Sequence, residues 1–309
     1  MKKITVVGAG RVGESTAQFI ASKDLCREIV LIDIREGAAE GAALDIQEDA
    51  PLFRFDTRLT GGTDYALMAD SDLVIITAGV PRKPGMSRSD VLETNVAVTD
   101  IIIENTLKYA PDSKMLFVSN PVDILTYRAW QKTGWDRSRI FGQAGVLDST
   151  RMASFIALET GYSSLDIDAM VLGGHGDSMV PMMRYTTISG IPVSNFMDQK
   201  TIDDIVTRTR NGGAEILALR QNSSAFDAPA AAVATMVDAI VNDRKRIVPT
   251  VAIVQNEYGC KELAIGVPCV LGKNGMEKVI SLEMNEEEQA NFESSVAAVE
   301  KDMQTLAKL

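Results

Sequence analysis

Gly8-Ala9-Gly10-Arg11-Val12-Gly13 sits directly between an apolar run, Ile4 to Val7, and a helical pattern from Arg11 to Lys23. Glycines at this spacing let a strand turn tightly into a helix and let a pyrophosphate approach the free amides at the helix amino end. A lone GxGxxG is a weak signal. It gains force from Asp33, twenty residues after Gly13 at the end of the next apolar run, Ile29 to Ile32. A carboxylate there accepts hydrogen bonds from an adenosine ribose. It also repels a 2′-phosphate, which favours NAD over NADP, although nearby Arg35 could partly compensate. The competing reading is a plain glycine turn followed by a solvated aspartate; strand, helix and spacing together weigh against it.

Short β-rich runs continue to alternate with helical patterns. Leu73 to Thr77 and Met115 to Ser119 join the first two runs as strands buried on both faces, and Thr57 to Thr60 and Arg139 to Phe141 are weaker candidates for a total of six. With a helix over Val91 to Tyr109, this predicts an α/β fold: a doubly wound parallel sheet over residues 1–145. Beyond it the rhythm changes. Helices are expected over Ser149 to Thr160, over Thr201 to Arg220 with a bend at Gly212-Gly213, and over Pro229 to Asn242. Val251 to Gln255, Cys260 to Leu271 and Glu277 to Leu282 read as antiparallel strands, the last two joined by a tight turn at Gly272 to Gly275. A final helix opens at Asn285 with Glu288 three residues on, a capping-box arrangement. Residues 146–309 thus read as a mixed α+β domain, packed on the first because no flexible linker separates them.

Composition removes several function classes. The formal net charge of −11 argues against a general nucleic-acid surface, so an anionic ligand must meet a local basic pocket. Cys26, Cys260 and Cys269 are odd in number and lack ligand-like spacing, which supports neither a disulfide framework nor a zinc ribbon and suits a reducing cytoplasm. His175 is the only histidine, so three-histidine and HExxH metal sites are excluded and one imidazole remains for chemistry. No metal is expected. Arg11 and Glu14 interrupt the amino-terminal apolar run before a signal sequence accumulates, and no run approaches the roughly 20 residues of a membrane helix.

Three further segments carry candidate chemistry. Pro81-Arg82-Lys83-Pro84-Gly85-Met86-Ser87-Arg88 follows a strand end and combines rigid prolines with cations. It fits a mobile loop over an anionic ligand, or an ordinary basic surface loop. Asp148 and Arg151 lie three residues apart on one helix face, which taken alone is most often a surface ion pair. Gly173-Gly174-His175-Gly176-Asp177-Ser178 brings backbone close to an imidazole, in a pocket or in a plain turn.

Taken together, GAGRVG, the Asp33 strand end, AGVPRKPGMSR, SNPVD, LDSTR and GGHGD resemble the lactate/malate dehydrogenase family in content and order, over essentially the whole chain, and most closely its malate-specific, lactate dehydrogenase-like branch. The resemblance implies a Rossmann domain, a mixed α+β substrate domain and a cleft between them. It implies that Gly8, Ala9, Gly10, Arg11, Val12, Gly13 and Asp33 hold NAD. Asn95, Val118, Ser119 and Asn120 would line the nicotinamide side, and Asn120 would also touch substrate. His175 becomes the acid/base, oriented by Asp148. Arg151 grips the substrate's C1 carboxylate, and Arg88 polarises the C2 oxygen as well as contacting substrate. Arg82 meets the distal carboxylate that separates malate from lactate. The implied reaction is reversible hydride transfer between L-malate and NAD, giving oxaloacetate and NADH, in a cytoplasmic homo-oligomer, with a tetramer favoured and a dimer as the alternative. Other readings are an L-lactate or other 2-hydroxy acid dehydrogenase, an NAD-binding glycosidase, which would require metal-ligating Cys and His, and a catalytically silent NAD-binding protein.

Overall fold

The computed structural model describes residues 1–80 and 88–308, with the side chains of all of these except 88–90. In the first half, β1 (Lys3–Val7) leads into α1 (Arg11–Ser22), followed by β2 (Glu28–Ile32), α2 (Ala38–Glu48), the single turn α3 (Ala50–Phe53), β3 (Arg58–Gly62) and β4 (Leu73–Ile76). Then come α4 (Arg88–Tyr109), β5 (Lys114–Phe117), α5 (Val122–Thr133), β6 (Ile140–Gly142) and α6 (Gly145–Thr160). The strongest apolar runs became the central strands: Ile4, Val6, Ile29, Leu31, Leu73 and Ile75 are fully buried, as expected of a parallel sheet covered on both faces.

The second half begins with five two-residue strands, β7 (Ile167–Asp168), β8 (Val171–Leu172), β9 (Val180–Pro181), β10 (Thr187–Ile188) and β11 (Ile191–Pro192). It continues with α7 (Gln199–Arg220), α8 (Asp227–Val241), β12 (Arg246–Val254), β13 (Leu263–Gly272), β14 (Gly275–Val279) and α9 (Glu286–Leu306). The last helix carries its capping box: Asn285 Oδ1 accepts from the Glu288 amide at 2.8 Å, and the Glu288 carboxylate accepts from the Asn285 amide at 2.9 Å.

Among the described residues the main sheet runs β14-β13-β12-β6-β5-β4-β1-β2-β3. Its first six strands in chain order are parallel and follow the 3-2-1-4-5-6 order of the doubly wound Rossmann sheet. The strand order reverses between β1 and β4, so the crevice beyond their carboxyl ends is the place where such a sheet binds ligands. The antiparallel strands expected late in the chain extend this same sheet, because β12 pairs with β6 through Val251 with Gly142 and Ala252 with Phe141. The sheet therefore crosses from one half of the chain to the other. A smaller apolar cluster, including Met152, Ile156, Val171, Met179 and Ile205, fills the space under the short strands.

Helix α7 passes through Gly212-Gly213 without interruption, where the sequence predicted a bend. Three helices, α2, α3 and α5, form where the sequence pattern predicts none. No helix among the described residues is long and apolar enough to cross a membrane.

Candidate active site

The cofactor side is built on the carboxyl ends of β1, β2, β4 and β5. Gly8 adopts φ +105, and a Cβ there would lie 2.6 Å from the Ala78 nitrogen; the backbone that follows β4 passes too close for any side chain. Thr77 Oγ1 donates to the Gly8 carbonyl at 2.9 Å and fixes that approach. A Cβ on Gly13 would fall 1.8 Å from the Gly8 oxygen, so the third glycine lets α1 seat on the turn. Gly10 differs: a Cβ there would meet nothing within 4 Å, and as N-cap of α1 it makes no side-chain hydrogen bond. The open space over Gly10 and the free amides of the first turn are what a pyrophosphate needs.

Asp33 closes this side. Its Oδ2 accepts from the Ala9 amide at 2.8 Å, and its Oδ1 accepts from the Arg35 amide at 2.9 Å and Arg35 Nε at 3.2 Å. Partial burial pushes the carboxyl up, but the hydrogen bonds from Arg35 and Ala9 outweigh it and hold the group below the usual carboxylate range. Arg11 and Val12 contribute backbone at the helix start. The Arg11 guanidinium itself turns away, to Ser223 Oγ at 3.0 Å and over the Phe226 ring, tying the glycine turn to the segment before α8.

Asn95 is buried, and its amide joins two strand ends. Its Oδ1 accepts from the Val80 amide at 2.7 Å, and its Nδ2 donates to the Val80 carbonyl at 3.3 Å and the Asn120 carbonyl at 2.7 Å. Ser119 makes a parallel tie, its hydroxyl donating to the Ala78 carbonyl at 2.6 Å. Val118 is anchored through its amide to the Ile76 carbonyl at 2.9 Å, and the Asn120 side chain stands exposed at the same edge. Asn95 and Ser119 therefore hold together the backbone that follows β4 and β5.

The second cluster draws on five separate segments: α6, the loop after β8, β13, α9 and α5. Asp148, in the first turn of α6, accepts from Arg151 Nη1 at 3.0 Å through Oδ1 and pairs with His175 Nδ1 at 2.9 Å through Oδ2. The side chains of Asp148, Arg151 and His175 are 2%, 10% and 21% exposed, so a sequence-common i,i+3 pair here is interior, with the imidazole rim left open. Between them, Ser149 Oγ accepts from the Val171 amide at 2.9 Å and locks α6 to β8. The His175 loop is held from three sides: Gly173 exchanges backbone bonds with Gly266 of β13, the Gly174 amide donates to Ser295 Oγ of α9 at 2.8 Å, and the His175 amide donates to Asp123 Oδ2 at 3.0 Å.

Sequence reasoning missed Asp123 and Ser295. An acid in the first turn of a helix ordinarily complements the helix dipole, which hides a structural role. Asp123 is buried, and its Oδ1 has no hydrogen-bond partner among the described residues. Burial pushes its carboxyl up to about 6, against the lowering effect of the His175 amide bond and the His175 charge. For His175, burial favours the neutral form, but Asp148, and beyond it Asp123, outweigh burial and the opposing Arg151 charge, so its pKa lies above the ordinary value. Arg82 and the Arg88 side chain lie outside the described residues; the backbone of Arg88 opens α4.

Both parts of the chain match known proteins. Residues 2–142 match the NAD binding domain of the lactate/malate dehydrogenases, and residues 145–309 match their alpha/beta C-terminal domain. A malate dehydrogenase of Thioalkalivibrio sulfidiphilus is 66% identical over 99% of this chain and 100% of its own length, and one of Nitrosococcus oceani is 63% identical over 100% and 99%. Among solved structures, the Salinibacter ruber malate dehydrogenase superposes with a TM-score of 0.95 at 43% identity, covering 99% of this chain and 98% of that one. A Cryptosporidium parvum lactate dehydrogenase, complexed with lactic acid and nicotinamide adenine dinucleotide, superposes with a TM-score of 0.96 at 36% identity, covering 100% and 98%. With both family domains matched end to end and such identities over its full length, the chain belongs to the lactate/malate dehydrogenase family.

Proposed function

We propose that the chain is an NAD-dependent L-malate dehydrogenase, interconverting L-malate and oxaloacetate. The observation that carries the chemistry is the buried relay from Arg151 through Asp148 to the sole imidazole, His175. The open seat over Gly10, the close-packed Gly8 and Gly13, and the Asp33 carboxylate fit NAD. When bound, NAD supplies the acceptor for the hydride leaving C2 of malate.

The protein's own groups handle the proton and the charges. With Nδ1 engaged by Asp148, His175 keeps Nε2 for the substrate. In the oxidation direction neutral His175 accepts the C2 hydroxyl proton at Nε2, and Asp148 stabilises the resulting imidazolium; in reduction the same nitrogen returns the proton. Arg151 grips the C1 carboxylate with guanidinium donors beyond the one that Asp148 occupies. Asn120 stands at the same edge to contact substrate, and Arg88 polarises the C2 oxygen as charge develops.

The choice of diacid is assigned to Arg82. The lactate dehydrogenase of near-identical fold makes it clear that the scaffold does not decide between malate and lactate, so the reading rests on the cation in Arg82-Lys83-Pro84 and on the malate dehydrogenases among the relatives. The division into residues 1–145 and 146–309, a cytoplasmic location and a homo-oligomer, with a tetramer favoured over the alternative dimer, complete the reading.

The test is NADH oxidation with oxaloacetate and with pyruvate, by the native protein and by Arg82→Gln. The native enzyme is expected to prefer oxaloacetate. The variant should lose roughly 30-fold or more of its kcat/KM ratio for oxaloacetate over pyruvate, because a desolvated cation no longer demands a partner. An unaltered ratio would mean that another residue reads the distal carboxylate, and no turnover of either acid would remove the reading.

A further inference from the structure

The glycine pair on α7 has a use other than bending. Gly212 is buried and Gly213 is exposed. A Cβ at 212 would lie 2.3 Å from Arg151 Cδ and 2.7 Å from Arg151 Nε, whereas a Cβ at 213 would meet nothing within 4 Å. We propose that Gly212 is a positioning residue for substrate recognition: the missing side chain on α7 sets the seat of the Arg151 guanidinium. This inference rests on the reading of Arg151 as the carboxylate clamp.

The side chain has little freedom to yield. At one end α6 fixes its backbone; at the other, Nη1 is bonded to Asp148 Oδ1, and the second oxygen of that carboxylate holds His175. The Arg151 side chain is only 10% exposed, so a displaced stem has little solvent to move into. A methyl at 212 must push Cδ and Nε sideways, carrying the planar guanidinium out of register with a bound carboxylate or loosening Asp148. Bidentate recognition tolerates such displacement poorly, since a misplacement of about 1 Å costs on the order of 100-fold. Helix propensity alone gives no reason for a glycine here, because alanine is the better helix former at both positions. Gly213 carries the same propensity cost without the contact, which makes it an internal control.

The experiment compares Gly212→Ala, Gly213→Ala and Arg151→Ala in the full chain, following oxaloacetate KM and kcat, NADH affinity by fluorescence, and Tm. Gly213→Ala should keep native kinetics with Tm unchanged or raised by about 1–2 °C. Gly212→Ala should raise oxaloacetate KM roughly 10- to 100-fold, with a smaller fall in kcat and native NADH affinity. Arg151→Ala tests the underlying reading by itself: a native oxaloacetate KM in that variant would end the clamp and this inference together. If Arg151→Ala is impaired while Gly212→Ala matches Gly213→Ala, the clamp stands and the role given to Gly212 is overturned. If Gly212→Ala does not fold, adding Arg151→Ala must restore folding, since it removes the atoms that clash; failure to restore it overturns the inference as well.

Discussion

The two sides of the proposed site are held by different physics. On the cofactor side the decisive groups are backbone: the turn over Gly8, the free amides of α1 and the strand ends tied by Asn95 and Ser119, with one carboxylate at the rim. On the substrate side they are four ionisable side chains, Asp123, Asp148, Arg151 and His175, drawn from α5, α6 and the loop after β8 and largely shut off from water. The first arrangement excludes atoms and leaves space. The second places charges in a low-dielectric interior, where each one sets the state of its neighbours. Damage on the cofactor side should therefore appear as lost binding or fold, and damage on the substrate side as lost turnover and an altered pH profile.

The largest effect that would break this contrast is expected from His175→Asn. Removing the one imidazole should lower kcat roughly 10²- to 10⁴-fold while NADH binding, measured by fluorescence, stays native. A parallel loss of both would mean that the two sides are not separable. In the unaltered enzyme the acid/base role of His175 sets the direction of the pH dependence, and its raised pKa moves the change above the ordinary imidazole range. Oxaloacetate reduction, which uses the imidazolium, should fall as pH rises through that pKa; malate oxidation, which uses the neutral ring, should fall as pH drops through it. Stability follows the same sign: the contribution from the Asp148 pairing is fully present below the unfolded value of about 6.5 and is lost as pH rises through the folded value. Asp123, pushed up to about 6, gains its proton near the acid end of this window and then ceases to favour the imidazolium. The acid limb of malate oxidation should accordingly be shallower than a single titration, which rate profiles from about pH 5 to about pH 9 check.

A sharper test lies within the glycine turn, where neighbouring residues have opposite surroundings. Gly13→Ala drives a methyl into the Gly8 carbonyl and Thr77 Oγ1, so the turn must shift. It should lose stability on the order of 1–3 kcal/mol, seen as a fall in Tm, and NADH affinity with it. Gly10→Ala meets no protein atom within 4 Å, so Tm should stay near native while NADH binding weakens about tenfold, because the methyl occupies the pyrophosphate seat. Native NADH affinity in Gly10→Ala would show that the cofactor's phosphates do not lie over this turn.

The same contrast explains what could be read from the sequence. The cofactor side is local: strand, glycine turn, helix and Asp33 fall within one stretch of chain, so spacing alone carried the argument, and the apolar runs of β1, β2, β4 and β5 marked the sheet. Helix α2 escaped because its alanines and glycines give only a narrow apolar face, and α5 because it opens behind Pro121 with an acid in its first turn. The antiparallel hairpin of β13 and β14 was legible from its turn, but the docking of β12 onto β6 joins residues more than a hundred apart. On the substrate side Asp148 and Arg151 resembled a surface pair until the fold buried them. Asp123 and Ser295 reach the His175 loop from distant helices, and spacing in sequence carries no trace of that. The two-residue strands β7 to β11 are too short to show any periodicity.

The smallest expected effect concerns Asp33, where the cofactor side does depend on a charge. Its carboxylate stays ionised across any practical assay pH, since the hydrogen bonds from Arg35 and Ala9 hold it below the usual range. It orders the glycine turn through the Ala9 amide and, in the proposed function, also presents negative charge to the ribose; Asp33→Ser separates the two. A serine hydroxyl can still accept one bond but carries no charge, so NADH KM should rise only about 2- to 10-fold, the scale of one ordinary hydrogen bond. Arg35, freed from the carboxylate at 3.2 Å, then becomes available to a 2′-phosphate, and NADPH turnover should improve in absolute terms. If both cofactors weaken by the same factor, Asp33 acts only through the turn and cofactor choice lies elsewhere. If the NADH to NADPH ratio narrows beyond the loss in NADH alone, the charge at this strand end is what selects between the two cofactors, the one point on the cofactor side governed by the electrostatics of the substrate side.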